Sequence, residues 1–166
     1  MIPMRLTFKL MSETDARAIA EWRYDGPYSV YNIENGADLS EILDRRSPHY
    51  AVYDASKELI GFFAYGTAAE VTDMGAPALY GEGKSMTIGL GLRPDLTGQG
   101  LGAAFVAEGL DFARRQFTPR GFRLFVLSFN QRAMRVYERA GFTRLRTVRI
   151  RNVHGGRDFV EMWRET

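Results

Sequence analysis

Leu90-Gly91-Leu92-Arg93-Pro94-Asp95-Leu96-Thr97-Gly98-Gln99-Gly100-Leu101-Gly102 joins an apolar strand to a helix. Pro94 ends the strand, and from Gly98 onward Val106, Leu110, Ala113 and Phe117 recur at helical spacing while Glu108, Asp111, Arg114 and Arg115 lie elsewhere on the wheel. Glycines without a Cβ let the chain turn tightly and bring several N–H groups toward one anion. At a helix N-terminus those donors and the helix dipole favour phosphate oxygens, so the loop is suited to a pyrophosphate. Gly98, Gly100 and Ala103 also satisfy the looser dinucleotide fingerprint. A Rossmann site, however, wants an acid ending the next strand to hold a ribose, and that strand ends Leu127-Ser128-Phe129-Asn130. A second glycine stretch, Ala78 to Ser85, imitates a phosphate loop but is followed by the strand-like Met86-Thr87-Ile88-Gly89, where a phosphate loop would open a helix.

Working outward, Arg5 to Leu10 reads as a first strand, and Ser12-Glu13-Thr14-Asp15 as a capping box that opens a helix through Trp22. Tyr24 to Asn35 is rich in turn residues and predicts a loop or broken helix, with a short helix near Asp38 to Arg45. Tyr50 to Tyr53 and Leu59 to Tyr65 form a strand hairpin, Glu70 to Lys84 a loop, and Ser85 to Leu92 the strand that feeds the glycine loop. Phe122 to Leu127 is a strand, Asn130 to Ala140 a helix stopped at Gly141, and Phe142 to Arg151 with Asp158 to Arg164 a last hairpin whose tip holds His154. The order is α+β with one strand-helix-strand-helix unit at its centre.

A chain of 166 residues fits a single domain, residues 1–166, large enough to bury a core without disulfides. It contains no cysteine, which removes disulfides, thiolate metal sites and any cysteine acyl-enzyme together. His49 and His154 offer no metal-binding spacing, so no metal is expected. The opening residues lack a signal-like pattern and no run reaches the ~20 apolar residues of a membrane span, which predicts a cytoplasmic protein with no membrane partner. Residues 1 to 90 carry 8 Lys and Arg against 13 Asp and Glu, and residues 91 to 166 carry 14 against 7, a balance of −5 and +7. Such asymmetry fits two regions that face ligands of opposite sign.

Asn130-Gln131-Arg132-Ala133-Met134-Arg135-Val136-Tyr137-Glu138-Arg139-Ala140-Gly141-Phe142, a helix closing on Ala-Gly-Phe, follows the glycine loop in order. Together the two motifs resemble the cofactor-binding half of GNAT acetyltransferases over about residues 85 to 145. The resemblance implies a GNAT-like, mostly antiparallel sheet flanked by helices, acetyl-CoA as acetyl donor, and transfer to a primary amine. It implies backbone pairing of Leu90 and Leu92 with the pantetheine arm. It wraps Thr97, Gly98, Gln99, Gly100, Leu101, Gly102 and Ala103 around the pyrophosphate, with Asn130 near the pantetheine and Tyr137 near the sulfur. Thr97 departs from the Arg or Gln usual at its position, so a side-chain phosphate contact is lost or supplied by another arginine.

Without cysteine, the expected chemistry is direct attack of a neutral amine on the thioester, with a backbone N–H of the Ser85 to Leu92 strand on the oxyanion and Tyr137 as acid. Glu82 is the candidate base, a water relay the alternative. In the family the first helices wall the acceptor groove, and here Trp22, Tyr24, Tyr28 and Tyr31 are expected to hold a small or peptide amine, cationic in the simplest case. The chain is expected to act as a monomer or homodimer. Two other classes compete: a non-catalytic acyl-CoA sensor on the same fold, and a nucleic-acid module built on Arg132, Arg135, Arg139, Arg144, Arg146, Arg149 and Arg151.

Overall fold

The computed structural model describes residues 4–34, 39–69, 85–152 and 155–166. Ser12 caps the first helix as its spacing requires: its hydroxyl accepts the Asp15 N–H at 3.1 Å while the Asp15 carboxylate accepts the Ser12 N–H at 3.2 Å. Strand β1 (Thr7–Leu10) precedes this helix, α1 (Glu13–Ala20), which stops short of Trp22. Gly26–Tyr31 winds into a 3-10 helix with Pro27 in its first turn, and α2 (Ser40–Leu43) is a single turn. The hairpin β2 (His49–Tyr53) and β3 (Leu59–Tyr65) stands where alternation and the Asp54 to Glu58 turn place it. There follow β4 (Met86–Leu92), α3 (Gly102–Phe117), β5 (Gly121–Leu127), α4 (Gln131–Arg139), β6 (Thr143–Asn152) and β7 (Gly155–Glu165). The Glu70 to Lys84 loop, with Glu82, lies outside the described residues, as do Asp38 and His154.

One seven-stranded sheet runs β1-β2-β3-β4-β5-β7-β6. Every neighbouring pair is antiparallel except β4 and β5, which are parallel because α3 crosses between them. That parallel pairing joins Met86 to Phe122 and Thr87 to Arg123, and among the described residues it goes no further. Beyond Thr87 the two strands part.

Alternation along β3 sends consecutive residues to opposite faces. Phe63 points toward α3, its ring 4.9 Å from Phe105, whereas Phe62 points the other way, 6.4 Å from Trp22 just past α1. Phe8, Tyr50 and Tyr65 gather around Phe112 on the α3 side. Helix α3 comes close to the sheet because Gly109 has no side chain: a Cβ there would stand 2.2 Å from the Phe63 ring. The Gly109 carbonyl also accepts the buried Tyr65 hydroxyl at 2.8 Å.

Gly109→Ala sets two effects against each other. Ala is favoured over Gly inside a helix by about 1 kcal/mol, but its methyl would overlap a buried ring in a close-packed core, which costs about 1–3 kcal/mol. The ring is walled in, so the clash wins: urea unfolding is expected to show a net loss of about 1 kcal/mol, and a stabilised variant would contradict this packing.

Candidate functional site

Where β4 and β5 part, a cleft of about 560 Å³ opens, in the range of small-molecule sites. Its walls are Ile88 to Leu92 of β4, Leu124 to Leu127 of β5, the start of α3, one side of α4, and the aromatic segment after α1. The Arg93 N–H bonds the Ile60 carbonyl at 2.8 Å. Backbone groups alternate sides along an antiparallel strand, so Gly91 also faces β3 while Leu90 and Leu92 turn theirs into the cleft. A parallel strand would ordinarily consume those groups; here the strands diverge first.

The glycine loop supplies a second set of donors. Leu101 caps α3 without a side-chain hydrogen bond, and the first helical bond runs from the Phe105 N–H to the Leu101 carbonyl. The preceding N–H groups therefore lack helical partners. Gly98 and Gly100 have φ of +72° and +77°, left-handed conformations that bend the chain around the helix start. A Cβ on Gly100 would meet nothing within 4 Å, so a side chain there would project into open space where an anion could otherwise approach.

Among the glycine-loop residues singled out from the sequence, Thr97, Gly98, Gly100, Gly102 and Ala103 line the cleft, whereas Gln99 and Leu101 do not. Two polar side chains are spent within the loop. The Thr97 hydroxyl donates to the Pro94 carbonyl at 2.7 Å, and the Gln99 amide to the Asp95 carbonyl. Asn130 is buried as the N-cap of α4: its Oδ1 accepts the Ala133 N–H at 3.0 Å and its Nδ2 donates to the Tyr31 hydroxyl at 3.0 Å.

Trp22, Tyr24, Tyr28 and Tyr31 all line the cleft, and they bridge its two walls. The Tyr24 hydroxyl donates to the Leu92 carbonyl of β4 at 2.8 Å, while Tyr31 is held by Asn130 at the other wall. Tyr28 and Tyr31 lie against Phe129, at 5.8 and 6.3 Å. Burial pushes the Tyr24 phenol up to about 12, against a smaller opposing pull from Arg132. Of the four aromatic rings expected to hold the acceptor, Tyr28 has one face covered by the Arg132 guanidinium, 4.0 Å from the ring centre.

Tyr137 stands on the same face of α4 as Ala133 and lines the cleft. Burial, and secondarily the nearby Tyr31 phenol, holds its hydroxyl well above the ordinary 10.0. Arg132, Arg135 and Arg139 also line the cleft, and among the described lining residues there is no Asp or Glu. Only the competing nucleic-acid class makes use of these three arginines in the sequence, because their helical spacing carries no sign of which wall α4 would form. Phe62 and Phe129 were missed as wall residues, since an aromatic on a strand or in a turn reads as core. No group of three or more His, Asp or Glu placed to hold a metal occurs among the described residues, and no described helix is long and apolar enough to cross a membrane.

Solved structures share this fold. A chimeric spermidine N-acetyltransferase SpeG, from Vibrio cholerae and hSSAT, superposes with a TM-score of 0.70 at 19% identity, covering 96% of this chain and 95% of that one. The aminoglycoside acetyltransferase AAC(6')-Ib in complex with coenzyme A gives 0.69 at 23% identity, covering 97% and 95%. No curated protein matches the chain in sequence. Residues 16–142, from α1 through the end of α4 and including every described wall of the cleft except Phe159, match the model of the acetyltransferase (GNAT) family, and the chain belongs to that family.

Proposed function

We propose that this protein transfers an acetyl group from acetyl-CoA to a small-molecule primary amine by direct attack within a ternary complex. The observation that carries the reading is the cleft itself, which joins an open β4 backbone edge, an uncapped helix start with left-handed glycines, and a buried phenol. In this reading Leu90 and Leu92 offer backbone groups to the pantetheine arm, and the N–H groups of Gly98 to Ala103 receive the pyrophosphate. Thr97 and Gln99 contribute only main chain, since their side chains are bonded within the loop. Arg135 and Arg139, exposed at the cleft edge, are suited to supply the missing side-chain phosphate contact. The complex of AAC(6')-Ib with paromomycin and acetyl-CoA is a related protein holding the same pair of ligand classes.

The amine nitrogen attacks the thioester carbonyl, the Leu90 N–H stabilises the oxyanion, and the C–S bond breaks. Tyr137 donates a hydrogen bond to the departing sulfur. With its pKa raised, the phenol gives up its proton only as negative charge forms on a sulfur desolvated in the same cleft, so donation follows bond cleavage. The excess proton leaves the amine by water or by a base outside the described residues; Glu82 remains the candidate for that base.

A thiol-release assay over diverse amines tests the reading. Acetyl-CoA-dependent release with some acceptor is expected, whereas tight coenzyme A binding without release from any amine would favour a sensor. Gly100→Val forces a β-branched residue into a left-handed turn, at about 1–3 kcal/mol of local strain, and fills the anion's approach. Calorimetry is expected to show at least tenfold weaker coenzyme A binding; an unchanged affinity would remove the loop from the site. Tyr137→Phe is expected to lower the rate of transfer about 10²-fold with cofactor affinity nearly kept, and equal rates with chemistry limiting would exclude the acid role. Because the Tyr137 phenol stays protonated above its ordinary 10.0, the wild-type rate is expected to rise with pH as the acceptor loses its proton and to hold its plateau to pH ~10. A fall between pH 8 and 9 would place a different acid there.

A further inference from the structure

The proposed reaction leaves one cation at the acceptor end of the cleft without a role. On the adjoining hairpin, arginines are matched with acids: Arg144 with Glu138 at 2.6 Å, Arg146 with Glu161 at 2.6 Å, and Arg149 with Asp158 at 3.0 Å. The three arginines of α4 form no ion pair among the described residues, and no Asp or Glu lines the cleft beside them. Arg135 and Arg139 are given above to the cofactor phosphates, which leaves Arg132. Its guanidinium lies over Tyr28, and it acts electrostatically on both Tyr24 and Tyr31. A second arginine, Arg157 of β7, is near enough to Tyr31 to act on it as well.

Stacking on a ring uses the flat face of a guanidinium and leaves the in-plane N–H donors free. Those donors form a fork matched to a carboxylate. A polycation would enter against an unneutralised arginine, with no described acid to offset it. Resting on the acetyl-transfer reading above, we propose that the acceptor amine also carries a carboxylate, as an amino acid or small peptide does, and that Arg132 binds that carboxylate. Tyr28 fixes the plane of the guanidinium, and the amine end then points inward toward Tyr137.

A carboxylate on the acceptor and a phosphate on the cofactor are both anions, so the experiment must separate them. Thiol release is measured with acceptor pairs that differ only in the carboxylate, lysine against cadaverine and phenylalanine against phenethylamine, for wild type, Arg132→Gln and Arg132→Lys, with coenzyme A affinity measured in parallel. The expected result is at least a tenfold higher kcat/KM for a carboxylate-bearing member, a collapse of that ratio toward one in Arg132→Gln through KM, and partial recovery in Arg132→Lys. Coenzyme A affinity is expected to stay within about twofold, since the fork contacts acceptor and not cofactor. Preference for the decarboxylated member in both pairs would overturn the proposal, as would an Arg132→Gln variant that keeps the ratio or that loses coenzyme A affinity instead. If no amine releases thiol, the acetyl-transfer reading fails on its own, and calorimetric titration of N-acetylphenylalanine decides the carboxylate site: binding lost in Arg132→Gln supports it, and no binding to wild type overturns it.

Discussion

The early end of the β4–β5 pairing is the constraint on which the rest of this structure depends. Two residue pairs hold the strands together at Met86 and Thr87, and then the ladder stops. Had it continued, Leu90 and Leu92 would have spent their inward-facing backbone groups on β5, and a buried parallel pair would stand where the cleft is. Divergence instead leaves polar main chain on an otherwise apolar wall, a costly arrangement unless something hydrogen-bonds to it. The Tyr24 hydroxyl does part of that work by donating to the Leu92 carbonyl.

The aromatic segment after α1 therefore closes the space that the strands open. Tyr24 bonds to the β4 wall and Tyr31 to Asn130 at the end of the β5 wall, while Tyr28 and Phe129 fill the span between them. Asn130 links three features through one side chain, since it caps α4, holds Tyr31, and sits at the turn leaving β5. Helix α4 is thereby set so that Tyr137 and the arginine edge both face the cleft. Each of these contacts is modest, about 1 kcal/mol for a typical hydrogen bond, and their joint effect is to fix the relative position of two walls that share little β-pairing.

Much of this was legible in the sequence, for reasons that differ by element. The capping box of α1, the β2–β3 hairpin and the stop of α4 at Gly141 rest on local rules, and local rules read well from one chain. The glycine loop was legible too, because left-handed φ at Gly98 and Gly100 is a backbone requirement that only residue type can announce. Helix α3 began four residues later than its apolar spacing implied, since Gly98 to Leu101 are used in turning. The side chains of Thr97, Gln99 and Asn130 could not be read: whether a polar group points to its own loop or into a cleft depends on packing between elements far apart in sequence. Tyr28 is the clearest case, because the arginine that covers one face of its ring lies more than a hundred residues away in the chain.

Amide hydrogen exchange with and without coenzyme A tests the central claim most directly, because the site is built largely from main-chain N–H groups that exchange measures one by one. Coenzyme A is expected to slow exchange at Leu90 and across Gly98 to Ala103, with the β6–β7 hairpin unchanged. Binding that leaves those amides as fast as before, and protects another surface, would contradict it.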